Sequence, residues 1–112
     1  MTGSDTLKYF FKKDELRGTD CHEFFKGKWN NLFWNDDSIY IYDEDFTDTD
    51  MKKLFMDVMP EYSPYESTEV TPEIWQSICE TAFGRTKEAV KDLNDWVQEV
   101  FSECGVFTIL GI

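Results

Sequence analysis

The sequence predicts a single α+β domain spanning residues 1–112: a mostly antiparallel sheet of about four strands, covered by about three helices. Three observations carry this expectation. At 112 residues the chain is one domain long and too short for two. Strand-like runs dominate up to residue 42, helical spacing takes over from residue 51, and an apolar run, Val-Phe-Thr-Ile-Leu, returns at 106–110. A composition of 41% hydrophobic and 17% aromatic residues suffices for a core and excludes general disorder.

Residues 6–12, Thr-Leu-Lys-Tyr-Phe-Phe-Lys, alternate loosely and predict a first strand. Residues 13–27 admit two readings. Asp20 and Glu23 can form a capping pair that opens one helical turn through Phe24-Phe25, ended by Gly27, or the segment is a loop. Residues 28–34 and 38–42 flank Asn35-Asp36-Asp37 and predict a central hairpin. In its second strand Ile39 and Ile41 face one way, and Ser38, Tyr40 and Tyr42 the other.

Met51, Leu54, Phe55, Val58 and Met59 then recur on one helical face, entered through the acid-rich residues 43–50 and stopped by Pro60. Turns around Pro64 lead to a short extended piece at 67–70. Thr71-Pro72-Glu73 is a helix start: a capping hydroxyl, a proline where no amide is needed, then an acid. The stripe Ile74, Trp75, Ile78, Cys79, Ala82 follows, with Gly84 as its expected C-terminal cap. Thr86 is the expected cap of a last helix with the stripe Ala89, Val90, Leu93, Trp96, Val97, Val100, Phe101, closed by Gly105. The C-terminal run at 106–110 reads as a buried strand.

The charge excludes several functions. With 23 acids against 11 Lys and Arg, the net charge is −12. Such a chain lacks the surplus cations needed for direct binding to nucleic acid or to an anionic membrane surface. No run of 18 apolar residues occurs, and Met1 to Thr6 show no basic region leading into an apolar stretch, so neither a membrane span nor a secretory signal is expected. Three cysteines, Cys21, Cys79 and Cys104, have no metal-ligand spacing, and free thiols point to a cytoplasmic protein.

Catalytic chemistry finds little to build on. The one histidine, His22, adjoins Cys21, but neighbours in a strand or helix diverge, and His22 is expected to be partly exposed. Cys79 and Cys104 fall on or near apolar helical faces, where thiols are inert. The run Asp43-Glu44-Asp45-Phe46-Thr47-Asp48-Thr49-Asp50 suggests a calcium loop. Starting at Asp43 or at Asp45, however, neither the sixth-position glycine nor the twelfth-position glutamate is in place. The six glycines are scattered, and no phosphate loop or nucleophile elbow is present. No enzyme activity, cofactor or metal is expected.

The location of the charge is more telling than its sum. Residues 1–35 carry 5 acids and 6 bases, whereas residues 36–69 carry 11 acids and two bases, Lys52 and Lys53. Nine of the twelve net charges lie in that segment. On one reading its acids are helix caps and solvated loop residues, and the low pI merely aids solubility. As a recognition surface, clustered carboxylates would steer a basic partner, and interleaved tyrosines would supply anchoring area. The candidate binding residues are Asp36, Asp37, Tyr40, Tyr42, Asp43, Glu44, Asp45, Asp48, Asp50, Glu61, Tyr62, Tyr65 and Glu66. Trp75 and Trp96 lie on helical stripes and read as core; Trp29 and Trp34 lie on mixed faces, where one could be exposed.

Several passages carry a resemblance: Glu-Cys-Gly-Val-Phe-Thr-Ile-Leu-Gly-Ile at 103–112, Pro60-Glu61-Tyr62-Ser63-Pro64-Tyr65, Thr68-Glu69-Val70 before a helix bearing Trp75, Ser38-Ile39-Tyr40-Ile41-Tyr42, and Asp45-Phe46. Across about residues 36–112 the chain resembles small bacterial immunity proteins of polymorphic toxin and contact-dependent growth inhibition systems. The resemblance implies a cytoplasmic antidote that binds a toxin domain and blocks its active site or an adjoining surface. Toxins of these systems are often nucleases with basic clefts, in agreement with the acidic segment. Two other classes fit the charge: a phage- or plasmid-type DNA mimic that inhibits a nucleic-acid-binding protein, and a small acidic metal-binding protein. Nothing in the sequence specifies the oligomeric state.

Overall fold

Four short strands, β1 (Cys21–Lys26), β2 (Ile39–Tyr42), β3 (Ser67–Val70) and β4 (Phe107–Leu110), pair antiparallel in the order β2-β1-β4-β3. The structure is a computed structural model describing residues 8–63 and 65–111. Among the described residues four α-helices accompany the sheet: α1 (Asp43–Asp48), α2 (Met51–Val58), α3 (Pro72–Thr81) and α4 (Gly84–Cys104). The α+β expectation holds. No helix among the described residues is long and apolar enough to cross a membrane.

The helices cover one face of the sheet. On this inner face His22 and Phe24 of β1 meet Phe46 of α1, and Phe24 also meets Phe55 of α2. Phe107 of β4 meets Trp75 of α3 together with Trp96 and Phe101 of α4. Phe24 and Phe107 stack at 5.7 Å, and Phe10 closes on Phe24 edge-on at 5.2 Å. Fully buried Phe24 is therefore the hub of the core. Each such aromatic side chain removes on the order of 150–250 Å² from water.

Two strands lie elsewhere than expected. Residues 13–27 are neither helix nor loop at their end: Cys21–Lys26 form β1, a central strand. Residues 28–34 form no strand. They belong to an irregular connection, residues 27–38, that joins β1 to β2 in place of a tight hairpin. Positive φ at Gly27, Asn31 and Trp34 breaks any extended run there. Of the expected first strand, Thr6 and Leu7 lie outside the described residues, as do Met1 to Thr6 of the signal reading, Pro64 of the turns and Ile112. The remainder contributes one bridge, with Phe11 and Tyr40 exchanging two 2.8 Å backbone hydrogen bonds. The chain before it is tied to α4, where Asp92 accepts from the Lys8 and Tyr9 amides.

The helical half follows its local signals, with three adjustments. Residues 43–50 form a helix of their own, α1, and Asp50 at φ 61° turns the chain into α2. Thr71 caps α3, its hydroxyl accepting from the Ile74 amide, with Pro72 at the first position. However, α3 stops at Thr81, and Gly84 opens α4 instead of capping α3. Thr86 is not a cap either. Its buried hydroxyl donates to the Thr49 carbonyl at 2.6 Å, fastening α4 to the α1–α2 junction. Gly105, at φ 77°, closes α4 as expected.

Candidate functional site

Side chains alternate across a strand, so opposite His22 and Phe24 the outer face of the sheet carries Cys21, Glu23, Tyr40, Thr108 and Leu110. The connection 27–38 folds over this face and is held there by one buried carboxylate. Glu23 accepts from the Trp34 amide (2.8 Å), the Asn35 amide (3.1 Å), Asn35 Nδ2 (2.9 Å) and the Ser38 hydroxyl (2.6 Å). Buried Tyr40 donates its hydroxyl to the Asn35 carbonyl, and Trp34 stacks on the Tyr40 ring at 5.7 Å and 17°. Burial, reinforced by the Glu23 charge, holds that phenol protonated far above the ordinary tyrosine range.

The connection also braces itself. Trp29 Nε1 and Asn35 Nδ2 both donate to the Leu32 carbonyl, and the Trp29 ring meets Phe33 edge-on at 4.9 Å. Its tip is nevertheless apolar and open to solvent: Leu32 is 63% exposed, Phe33 55% and Trp34 39%. Tyr65, 77% exposed, joins them from the approach to β3. Two shallow cavities of about 170 and 270 Å³ share Phe33, Leu110 and Gly111; Cys21, Glu23 and Trp34 line the first, and Trp29, Tyr65 and Glu66 the second. The two cavities adjoin along Phe33, Leu110 and Gly111 and together form an outer-face depression bordered by the aromatic residues.

The candidate residues divide into three groups. Asp36 and Asp37 are exposed in the same connection as the apolar tip, with Lys13 Nζ 3.4 Å from Asp36, while Tyr65 and Glu66 border the depression. Glu44, Asp48, Asp50 and Glu61 are exposed and Asp45 half-buried, but Asp43 to Asp50 lie beyond β2, in the helical layer. The four residues of β2 span roughly 13 Å between those acids and Asp37. Tyr40 and Tyr62 correct the expectation of surface anchors: both are buried. Tyr40 is covered because the connection closes over the outer face, and Tyr62 because it packs edge-on against Phe55. Tyr42 is half-buried, its hydroxyl accepting from the Arg17 amide at 2.8 Å.

His22 also departs from expectation, being completely buried. Its Nε2 lies 2.8 Å from Asp43 Oδ1, which Lys52 Nζ approaches at 2.9 Å. Burial pushes the imidazole below its ordinary pKa, more strongly than Asp43 pulls it up. Lys52 and then His22 hold the Asp43 carboxyl below its usual range. A neutral imidazole donates through Nε2–H to Asp43, which leaves buried Nδ1 without a partner among the described residues. This trio fastens β1 to α1 and α2. Cys21 is directed to the opposite face, with its thiol pushed up to about 11 by burial and by the charges of Glu23 and Asp20.

Among the described residues, no three His, Cys, Asp or Glu side chains converge as a metal-binding group. A cleft of about 270 Å³ between α2 and the α3–α4 junction carries both signs of charge, Asp50 and Asp57 with Lys53 and Arg85. No family model, curated protein or solved structure matches the chain.

The sequence missed Glu23, Leu32 and Phe33 as contributors, and it placed Trp34 in a strand. The available signal was Asn30-Asn31 and Asn35, residues that tolerate positive φ and interrupt a strand of aromatics.

Proposed function

We propose that this chain is a non-enzymatic inhibitor, a cytoplasmic immunity protein that binds and neutralises a cognate bacterial toxin domain with a basic, nuclease-type cleft. One observation carries the reading. Of the 11 acids in residues 36–69, only Asp36 and Asp43 have an ion-pair partner among the described residues. The other acids have no ion pair among the described residues, and their charge is available to a basic surface. The resemblance across residues 36–112 supplies the biological class, and three free cysteines accord with a reducing compartment.

A DNA mimic shares the charge but addresses a nucleic-acid-binding protein in place of a toxin. Co-expression separates the two. The chain should restore growth to cells producing the toxin domain encoded beside its gene, and should inhibit that domain's activity at a one-to-one ratio. Unchanged toxicity contradicts the immunity reading, and inhibition at far below stoichiometric amounts contradicts a binding mechanism.

A further inference from the structure

We propose that the outer-face depression bordered by Phe33, Trp34 and Tyr65, with Glu66 in its lining, receives an arginine-bearing basic segment of the partner. The inference builds on the reading of the chain as a binder of a basic protein and assigns the contact surface within it. Of the six large hydrophobic side chains exposed among the described residues, Leu32, Phe33, Trp34 and Tyr65 are four, and they belong to this one region. Exposed apolar area concentrated in this way marks an interaction surface.

The surface is built before any partner arrives. Buried Glu23 takes four hydrogen bonds from the connection, and Trp34 is stacked on a buried tyrosine. Rings held in this way lose little conformational freedom on binding, which is what makes an aromatic an effective anchor.

Charge selects the occupant. A second copy of the chain would bring another net −12 and another acid-bordered face against this one, and like charges oppose that pairing. A guanidinium suits the surroundings: its plane lies against aromatic faces while its N–H groups reach carboxylates. Glu66 lines the depression and has no ion-pair partner among the described residues, whereas Asp36 lies in a separate cavity with Lys12 and with Lys13, its ion-pair partner.

The test is an NMR titration of the full chain with the capped peptide Lys-Arg-Leu-Arg-Lys and its isostere carrying citrulline in place of arginine. The arginine peptide should shift the Trp29 and Trp34 indole signals and the Phe33, Tyr65 and Gly111 amides saturably. Binding should weaken about tenfold with the citrulline peptide, and similarly in the double variant F33A/Y65A, which alters two exposed side chains and keeps every acid. Shifts centred on residues 43–50 and indifferent to F33A/Y65A overturn the assignment of the surface while leaving a basic partner in place. Equal binding of both peptides at the depression overturns the recognition of arginine there. Absence of any saturable shift, or a dimer that dissociates in F33A/Y65A, overturns the proposed occupant.

Discussion

Oε2 of Glu23 accepts hydrogen bonds from both nitrogens of Asn35, the amide at 3.1 Å and Nδ2 at 2.9 Å. A carboxylate buried on the outer face of a central strand thereby takes the place of the sequence-local turn that would otherwise join β1 to β2. Its remaining bonds, to the Trp34 amide and the Ser38 hydroxyl, fix the segment that presents the exposed rings.

Glu23→Gln should therefore cost roughly 2 kcal/mol in urea denaturation, because an amide cannot accept at both ends and leaves a buried donor unpaired. Hydrogen exchange should localise the damage, with the Trp34 and Asn35 amides exchanging faster while α4 stays protected. Unchanged protection at those two amides would show that Glu23 does not hold the connection.

The helical half was legible because its signals are local. Thr71-Pro72-Glu73 announces a start within three residues, and Gly105 a stop in one. The strand β1 was hidden because both of its faces are buried, the inner by helices and the outer by residues 34–38, so Cys21-His22-Glu23-Phe24 shows no polar–apolar alternation. The ligands of Glu23 lie 11 to 15 residues away, beyond any local pattern. At the site, the exposure of Asp36 and Asp37 follows from their turn-forming character. Burial of Tyr40 does not, since the chain that covers it is held by Glu23, 11 to 15 residues away in sequence. Strand propensity misplaced Trp29 to Trp34 for the same reason: aromatics favour strands only where a partner strand is available.

Phe24 and Phe33 should behave oppositely. Phe24 packs against four other phenylalanine rings in the core, and F24A should cost about 4 kcal/mol of stability. F33A removes an exposed ring and should change stability by no more than about 0.5 kcal/mol, while weakening partner binding. Thermal denaturation of the two variants distinguishes the core from the proposed interface.

Stability should fall on mild acidification. His22 has a folded pKa below its ordinary 6.5, so the unfolded chain binds the proton more readily, and stability declines as pH drops from about 7 through the folded pKa. Asp43, held below 3.8, adds a second loss of the same sign at lower pH as its carboxyl protonates. In His22→Gln the first of these declines should vanish and the second remain. Melting temperatures recorded from pH 7 to pH 3 on both proteins check this.

Thiol reactivity should be graded. Cys104 is exposed, Cys79 is half-buried with its pKa raised by burial, and Cys21 is buried with its pKa pushed up to about 11. A maleimide at neutral pH should label Cys104 first and Cys21 only on unfolding. Mass spectrometry of the time course reads the order directly, and early labelling of Cys21 would contradict the closed outer face.

The central claim is that uncompensated acid on this fold draws in a basic partner. Stopped-flow association with the cognate toxin domain, measured across ionic strength, tests it most directly. The rate should fall at least about tenfold between low and high salt, and D36N/D37N should lower the low-salt rate and flatten the dependence. An association rate indifferent to salt and to both substitutions would contradict the account.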